Sequence, residues 1–212
     1  MEIIDLSHVI EEGMSVYPGD PPPGIRSIAT LNQEGFSEKE LLMSTHTGTH
    51  IDAPAHLLKG GLTLDLFPPE KFVGEARVIN CYRKSLITLP HIKKQIPEKI
   101  PDFFLIYTGW DSHWGTGSYY RDIPVMDEAV AEFLGNLSLK GIGMDAPSFD
   151  PVGSEKLINH RHFLSRDILL IENLTQLQNL VNRRFIFSCF PLKFKHADGS
   201  PVRAMAMIQD QS

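Results

Sequence analysis

The sequence predicts one α/β (α+β) domain spanning residues 1–212: a mixed or antiparallel sheet with a few helices packed outside it. Three observations carry this reading. Short β-branched or apolar runs recur along the whole chain, while only two or three segments show a helical stripe, so strands and helices do not alternate as a regular βαβ series requires. Two runs, at 103–108 and 168–171, are continuously apolar, which marks strands covered on both faces. No shift in composition marks a domain boundary, and 212 residues are enough to bury a substantial core.

Taken in order, 3–6 is a first strand that ends in Asp5-Leu6-Ser7-His8. An irregular loop follows, with Tyr17-Pro18-Gly19-Asp20 and then Pro21-Pro22-Pro23, prolines that cannot join an interior sheet. Tyr17 on this loop could reach into a cleft. Residues 25–31 and 39–45 read as strands with a turn at 32–37. A strand is expected over 72–81 and a short helix over 89–95, stopped near Pro97. The run at 103–108 is the central strand, and the loop after it carries Trp110, Trp114, Tyr119 and Tyr120, read as core or surface aromatics. The spacing of Val130, Phe133, Leu134 and Leu137 predicts a helix over 124–134, with Asp127 and Glu128 in its first turns and Gly135 after it. Residues 140–144 form a strand ending at Asp145-Ala146-Pro147-Ser148, and 154–165 a helix with Ser154 as its N-cap. The buried strand at 168–171 ends in Glu172, and 184–190 and 202–208 are the last two strands.

Composition excludes several classes. The chain is 42% hydrophobic and 22% charged, which is ordinary for a globular domain. Its net charge of -6, without clustered basic residues, offers no footprint for nucleic acid. Cys81 and Cys189 read as buried free thiols. There is no signal-peptide pattern at Met1-Glu2-Ile3-Ile4-Asp5 and no apolar run of about 18 residues, so no membrane partner is expected and the cytoplasm is the expected location.

The chemistry is concentrated at 44–56. His46, His50, Asp52 and His56 share one parity, and an extended backbone would turn them to one side, with Gly48 leaving a gap between them. Three alternate threonines, Gly48 and Pro54 disfavour a helix, so the stretch reads as a strand running into a tight turn. His46, His50 and Asp52 offer imidazole nitrogen and carboxylate oxygen to a divalent ion, and three protein ligands leave open positions. Asp52 could bridge to a second ion, for which His160 and Glu172 are the best further ligands, with His162 a rival to His160. His56, beyond Pro54, suits general acid and base work on an amide. His8, His91, His113 and His196 read as structural or surface histidines. A non-catalytic metal-binding protein and a purely structural metal site are the rival readings.

The string His46-Thr47-Gly48-Thr49-His50-Ile51-Asp52-Ala53-Pro54-Ala55-His56 resembles the signature of the metal-dependent cyclase family, which includes the bacterial kynurenine formamidases and the isatin hydrolases. Asp5-Leu6-Ser7-His8, Thr108-Gly109-Trp110, Gly143-Met144-Asp145-Ala146-Pro147-Ser148, Ile171-Glu172-Asn173-Leu174 and Pro201-Val202-Arg203-Ala204 fall where the family has similar strings. The resemblance implies a swivelling β/β/α-type fold and metal-dependent hydrolysis of an aryl formamide or cyclic amide. N-formylkynurenine is the substrate it suggests first, and a lactam hydrolase or ring-closing cyclase the alternative. It implies His46, His50 and Asp52 on a first ion, with Asp52, His160 and Glu172 on a second, and His56 as the acid/base. Zinc is the implied metal, as one or two ions, with manganese possible, and the implied assembly is a homodimer or homotetramer. Tyr17 stands where kynurenine formamidases have a tryptophan that lines the substrate pocket.

Overall fold

The computed structural model describes residues 1–208. Its strands are β1 (Glu2–Asp5), β2 (Gly24–Ala29), β3 (Glu38–Leu42), β4 (His50–Asp52), β5 (Val73–Asn80), β6 (Leu86–Ile87), β7 (Phe103–Tyr107), β8 (Val125–Met126), β9 (Gly141–Met144), β10 (Leu169–Glu172), β11 (Phe185–Ser188), β12 (Gly199–Pro201) and β13 (Met205–Ile208). Three α-helices accompany them: α1 (Leu89–Lys93), α2 (Glu128–Gly135) and α3 (Ile158–Leu164). Nine strands form one mixed sheet in the order β1-β13-β11-β5-β7-β9-β10-β4-β12. The central four, β5, β7, β9 and β10, run parallel, and the flanking strands pair antiparallel. This is the mixed α/β architecture that the strand pattern predicts.

The continuous apolar run explains the layering. In β7, Phe103 and Leu105 join one core with Ile51, Ile171 and Phe187, while Phe104 and Ile106 join another with Val130, Leu134, Phe163 and Leu164 of the helices. Both faces of the strand are therefore dry, so no polar alternation was available to it. Cys81 and Cys189 are buried free thiols. Among the described residues, no helix is long and apolar enough to cross a membrane.

Some elements depart from the sequence reading. The stretch 44–56 is not one strand: Gly48 has φ +64° and turns the chain, leaving only His50–Asp52 extended before a 3-10 turn at Pro54–His56. Val125 and Met126 are not the start of a helix but pair with Leu86 and Ile87, so α2 starts at Glu128. Ser154 does not cap α3. The helix starts at Ile158, and the Asp150 carboxylate accepts the amides of Asn159 and His160 at 3.0 Å each. A carboxylate folded back from the preceding loop thus satisfies the orphan N–H groups of the first turn.

The outlying strands β2 and β3 pair with each other as a hairpin outside the large sheet, and every residue of β3 is exposed. Inside, Asp145 at the carboxyl end of β9 ties down the next loop. Its carboxylate accepts Thr108 N at 2.9 Å, Thr108 Oγ1 at 2.6 Å and Gly109 N at 2.7 Å. Replacing it leaves buried donors without an acceptor. Asp145→Ala is expected to lower the free energy of unfolding by about 3 kcal/mol with an unchanged slope in urea titration. A loss under about 1 kcal/mol would mean that other contacts hold the loop.

Candidate metal centre

The candidate centre lies where the parallel strands end. At the carboxyl end of β10, Glu172 stands opposite His50 of β4, and Leu170 opposite Asp52. On the other side of β4, Asp52 faces Gly199 of β12. A side chain at Gly199 would put its Cβ 2.5 Å from His46 Cε1, so only glycine lets His46 lie against this edge. The turn at Gly48 carries His46 back over the strand, and His46 Nδ1 comes within 2.7 Å of Asp52 Oδ1. Even numbering therefore put His46 and Asp52 together for a reason other than the one expected: a turn, not a shared strand face.

Two ligand sets meet on one carboxylate. His46, His50 and Asp52 offer one donor each within 4.8 Å of one another, and so do Asp52, His160 and Glu172. His50 Nε2 is 3.4 Å from Asp52 Oδ1 and 3.5 Å from Glu172 Oε2, and His160 Nε2 is 3.1 Å from Glu172 Oε1. His162 points elsewhere, its Nε2 lying 3.3 Å from exposed Glu128. His56 is adjacent: its ring centroid is 4.1 Å from that of His46, and its Nδ1 is 3.9 Å from Asp198 Oδ2.

The backbone fixes which nitrogen faces the centre. His50 Nδ1 lies 2.8 Å from the Gly48 carbonyl, which can only accept, so Nδ1 carries the hydrogen and Nε2 presents its lone pair. Asp150 does the same for His160, its Oδ2 lying 2.6 Å from Nδ1. Two imidazole lone pairs and the oxygens of two buried carboxylates are thus aimed at one region. Such an arrangement repels itself unless positive charge sits among the donors, and a divalent cation with nitrogen and oxygen ligands fits it. The charges buried here make the same demand. Burial would lower His46 and His160, yet the carboxylates of Asp52 and Asp198 carry His46 up to about 9, and those of Asp150 and Glu172 carry His160 up to about 10. Burial works to raise Asp52 and Glu172, and the imidazoles hold both below the usual carboxylate range.

Four residues of the surroundings were given no role by sequence. Asp150 orients His160. Asp198 lies 3.2 Å from His46 Nε2, and its loop carries no signal beyond a carboxylate before a glycine. Buried Asn173 follows Glu172 in a left-handed conformation, φ +57°, that asparagine tolerates. Its Nδ2 donates to the Gly48 carbonyl at 2.8 Å, and its own carbonyl accepts Thr49 Oγ1 at 2.6 Å. Tyr119, fully buried, donates its hydroxyl to Asn173 Oδ1 at 2.7 Å. Tyr17 accepts a hydrogen bond from Gly153 N at 2.8 Å and meets Tyr120 edge to face at 5.8 Å between centroids. Its hydroxyl is therefore engaged by Gly153 and its ring packs against Tyr120. His8 is stacked on Trp114 at 4.0 Å, where burial lowers its pKa to about 4.

Comparison with known proteins gives these features a setting. The kynurenine formamidase of Bordetella avium is 33% identical over 204 residues, covering 95% of each chain. That of Geobacillus thermodenitrificans is 34% identical over 206 residues, again covering 95% of each. A structure described as a potential metal-dependent hydrolase with cyclase activity superposes with a TM-score of 0.81 at 27% identity, covering 97% of this chain and 96% of that one. Isatin hydrolase A from Labrenzia aggregata superposes at 0.84 with 25% identity, covering 99% and 94%. The Cyclase family model matches residues 4–151, and together with relatives of this identity over nearly the full chain it makes this protein a member of the Cyclase family.

Proposed function

We propose that this chain is a metal-dependent hydrolase whose substrate is a small aryl formamide, N-formylkynurenine in the first place, giving kynurenine and formate. The observation that carries the reading is the convergence of His46, His50, Asp52, His160 and Glu172 on one centre with His56 beside it. The names of the kynurenine formamidases above support the substrate, and their metal-dependent structural neighbour supports the class. His46, His50 and Asp52 would hold one zinc or manganese ion, and Asp52, His160 and Glu172 a second. When bound, such an ion supplies Lewis acidity toward a carbonyl oxygen and makes water a stronger acid.

The chain's own residues do the rest. Burial lowers the pKa of His56, against the nearby carboxylates of Asp52 and Glu172, and so favours the neutral imidazole that can accept a proton. His56 takes the proton released by the attacking water and returns it to the aniline nitrogen as the C–N bond breaks, so the leaving group departs as a neutral amine. The ring of Tyr17, its hydroxyl engaged by Gly153, offers an apolar surface to an aryl group. A lactam of the isatin type is the second reading, favoured by the likeness to isatin hydrolase A.

The chain would act as a homodimer. A lone two-stranded hairpin is marginal in water, yet β2, β3 and the turn between them leave Ile28, Leu31, Phe36, Leu41 and Leu42 exposed. A second copy covering this hairpin would bury them next to the segment that leads into His46.

Three outcomes are expected. Wild-type protein, loaded with zinc or manganese, hydrolyses N-formylkynurenine faster than isatin, and His56→Ala loses about a thousandfold in turnover while binding the same amount of metal by elemental analysis. Near-native activity of that variant removes His56 from the mechanism, and preference for isatin selects the lactam reading. Asn173→Gly, which keeps the backbone unstrained but deletes the brace on Gly48 and His50, weakens metal binding about tenfold or more in chelator competition. Leu41→Asp combined with Leu42→Asp shifts the protein to monomer in light scattering; an unchanged dimer would place the interface elsewhere.

A further inference from the structure

A second cavity lies at the same end of the sheet, away from the candidate metal centre. Loops leaving the carboxyl ends of β5 and β7 build it, and the segment around Asp122 closes it. This is the side of parallel strands on which ligands are usually held. Its volume is about 290 Å³, which suits one small molecule and no polymer. No residue of the metal centre lines it.

Its walls are unusual in backbone and in charge. Arg83, Gly109 and Asp122, all lining residues, have left-handed φ values of 58°, 79° and 52°. For Arg83 and Asp122 that conformation costs free energy, and such residues gather at binding sites. Gly109 is required: a Cβ there would lie 2.6 Å from Tyr82 Cε2. The Tyr82 ring is fixed by stacking on Tyr107, 5.4 Å away and 13° from parallel, and Trp110 by donating Nε1–H to the Tyr119 carbonyl at 2.8 Å. The aromatic walls are therefore formed before any ligand arrives. Among the described residues, neither Arg83 nor Lys84 has a carboxylate partner, and Asp122 has no cationic one; Arg83 lies 5.1 Å from the centre of the Tyr82 ring.

We propose that this cavity binds a free aromatic α-amino acid as its zwitterion. Arg83 and Lys84 take the carboxylate, Asp122 takes the ammonium group, and the side chain lies against Tyr82 and Trp110. A simple anion would meet Asp122 and a simple cation would meet Arg83 and Lys84, so both charges are needed on one ligand.

The test is calorimetric titration of the metal-loaded full chain with L-phenylalanine. Saturable binding with a dissociation constant under about 1 mM is expected. 3-Phenylpropionate, which lacks the ammonium group, and phenethylamine, which lacks the carboxylate, should each bind at least about tenfold more weakly. Arg83→Ala and Asp122→Ala should each weaken L-phenylalanine at least about tenfold while keeping the wild-type melting temperature. No saturation by about 20 mM overturns the proposal, as does equal affinity for either single-charge analogue. Folded variants that bind as wild type overturn it too, by placing the ligand elsewhere. Should a variant fail to fold, the analogue series on wild-type protein decides.

Discussion

Two carboxylates buried side by side set the terms for the rest of the molecule. Asp52 and Glu172 are almost fully removed from water at the end of β10, where an uncompensated charge would cost several kcal/mol. Compensation comes from three imidazoles, and each must arrive at a fixed angle. His50 is aimed by the Gly48 carbonyl, His160 by Asp150, and His46 by a turn and by the missing side chain of Gly199. Asn173 links these supports, since it holds the Gly48 carbonyl and is itself held by Tyr119. The fold is thus arranged so that a repulsive set of donors can persist until a cation joins it.

The sheet makes that possible. Parallel strands β5, β7, β9 and β10 need both faces covered, and the two cores supply this cover. A strand locked on both faces cannot slide, so Glu172 at its end is placed to within the tolerance of a metal ligand. The antiparallel neighbour β4 then carries His50 into register opposite it. Asp145, one strand over, uses the same position to bind loop amides instead of a cation. The shared Asp-Ala-Pro string at 52–54 and 145–147 therefore marks a common place at a strand end with different work.

How much of this the sequence disclosed follows from the range of each interaction. The doubly covered strand at 103–108 was legible because burial on both faces acts on every residue of the run. The residues at 44–56 were legible because their chemistry is packed into one segment, although the local path was not: a shared parity suggested a strand, and the positive φ of Gly48 replaced it with a turn. The start of α3 is not legible locally because Ser154 is a good local cap, whereas the acceptor is Asp150, nine and ten residues before the amides of Asn159 and His160 that it takes. Asp198 and Asn173 were invisible for the same reason. Their partners lie more than a hundred positions away, so neither the contact of Asp198 with His46 nor the hold of Asn173 on the Gly48 carbonyl leaves a local trace.

The candidate centre also has a dry end and a wet end, and this orders its chemistry. Side chains of Asp52, His160 and Glu172 are 1%, 5% and 7% exposed, while those of His46, His56 and Asp198 are 19%, 28% and 43% exposed. Charge held at the dry end is screened least, so the donors Asp52, His160 and Glu172 sit where water would compete least for a cation. A group that exchanges protons needs the opposite, since it must reset with solvent after each turnover. His56 occupies that wet edge, and Asp198 beside it is the half-exposed carboxylate that can steady the imidazolium when it forms. A substrate entering from this side would meet His56 before it reached the buried carboxylates, an order that suits the proposed division between proton transfer and cation holding.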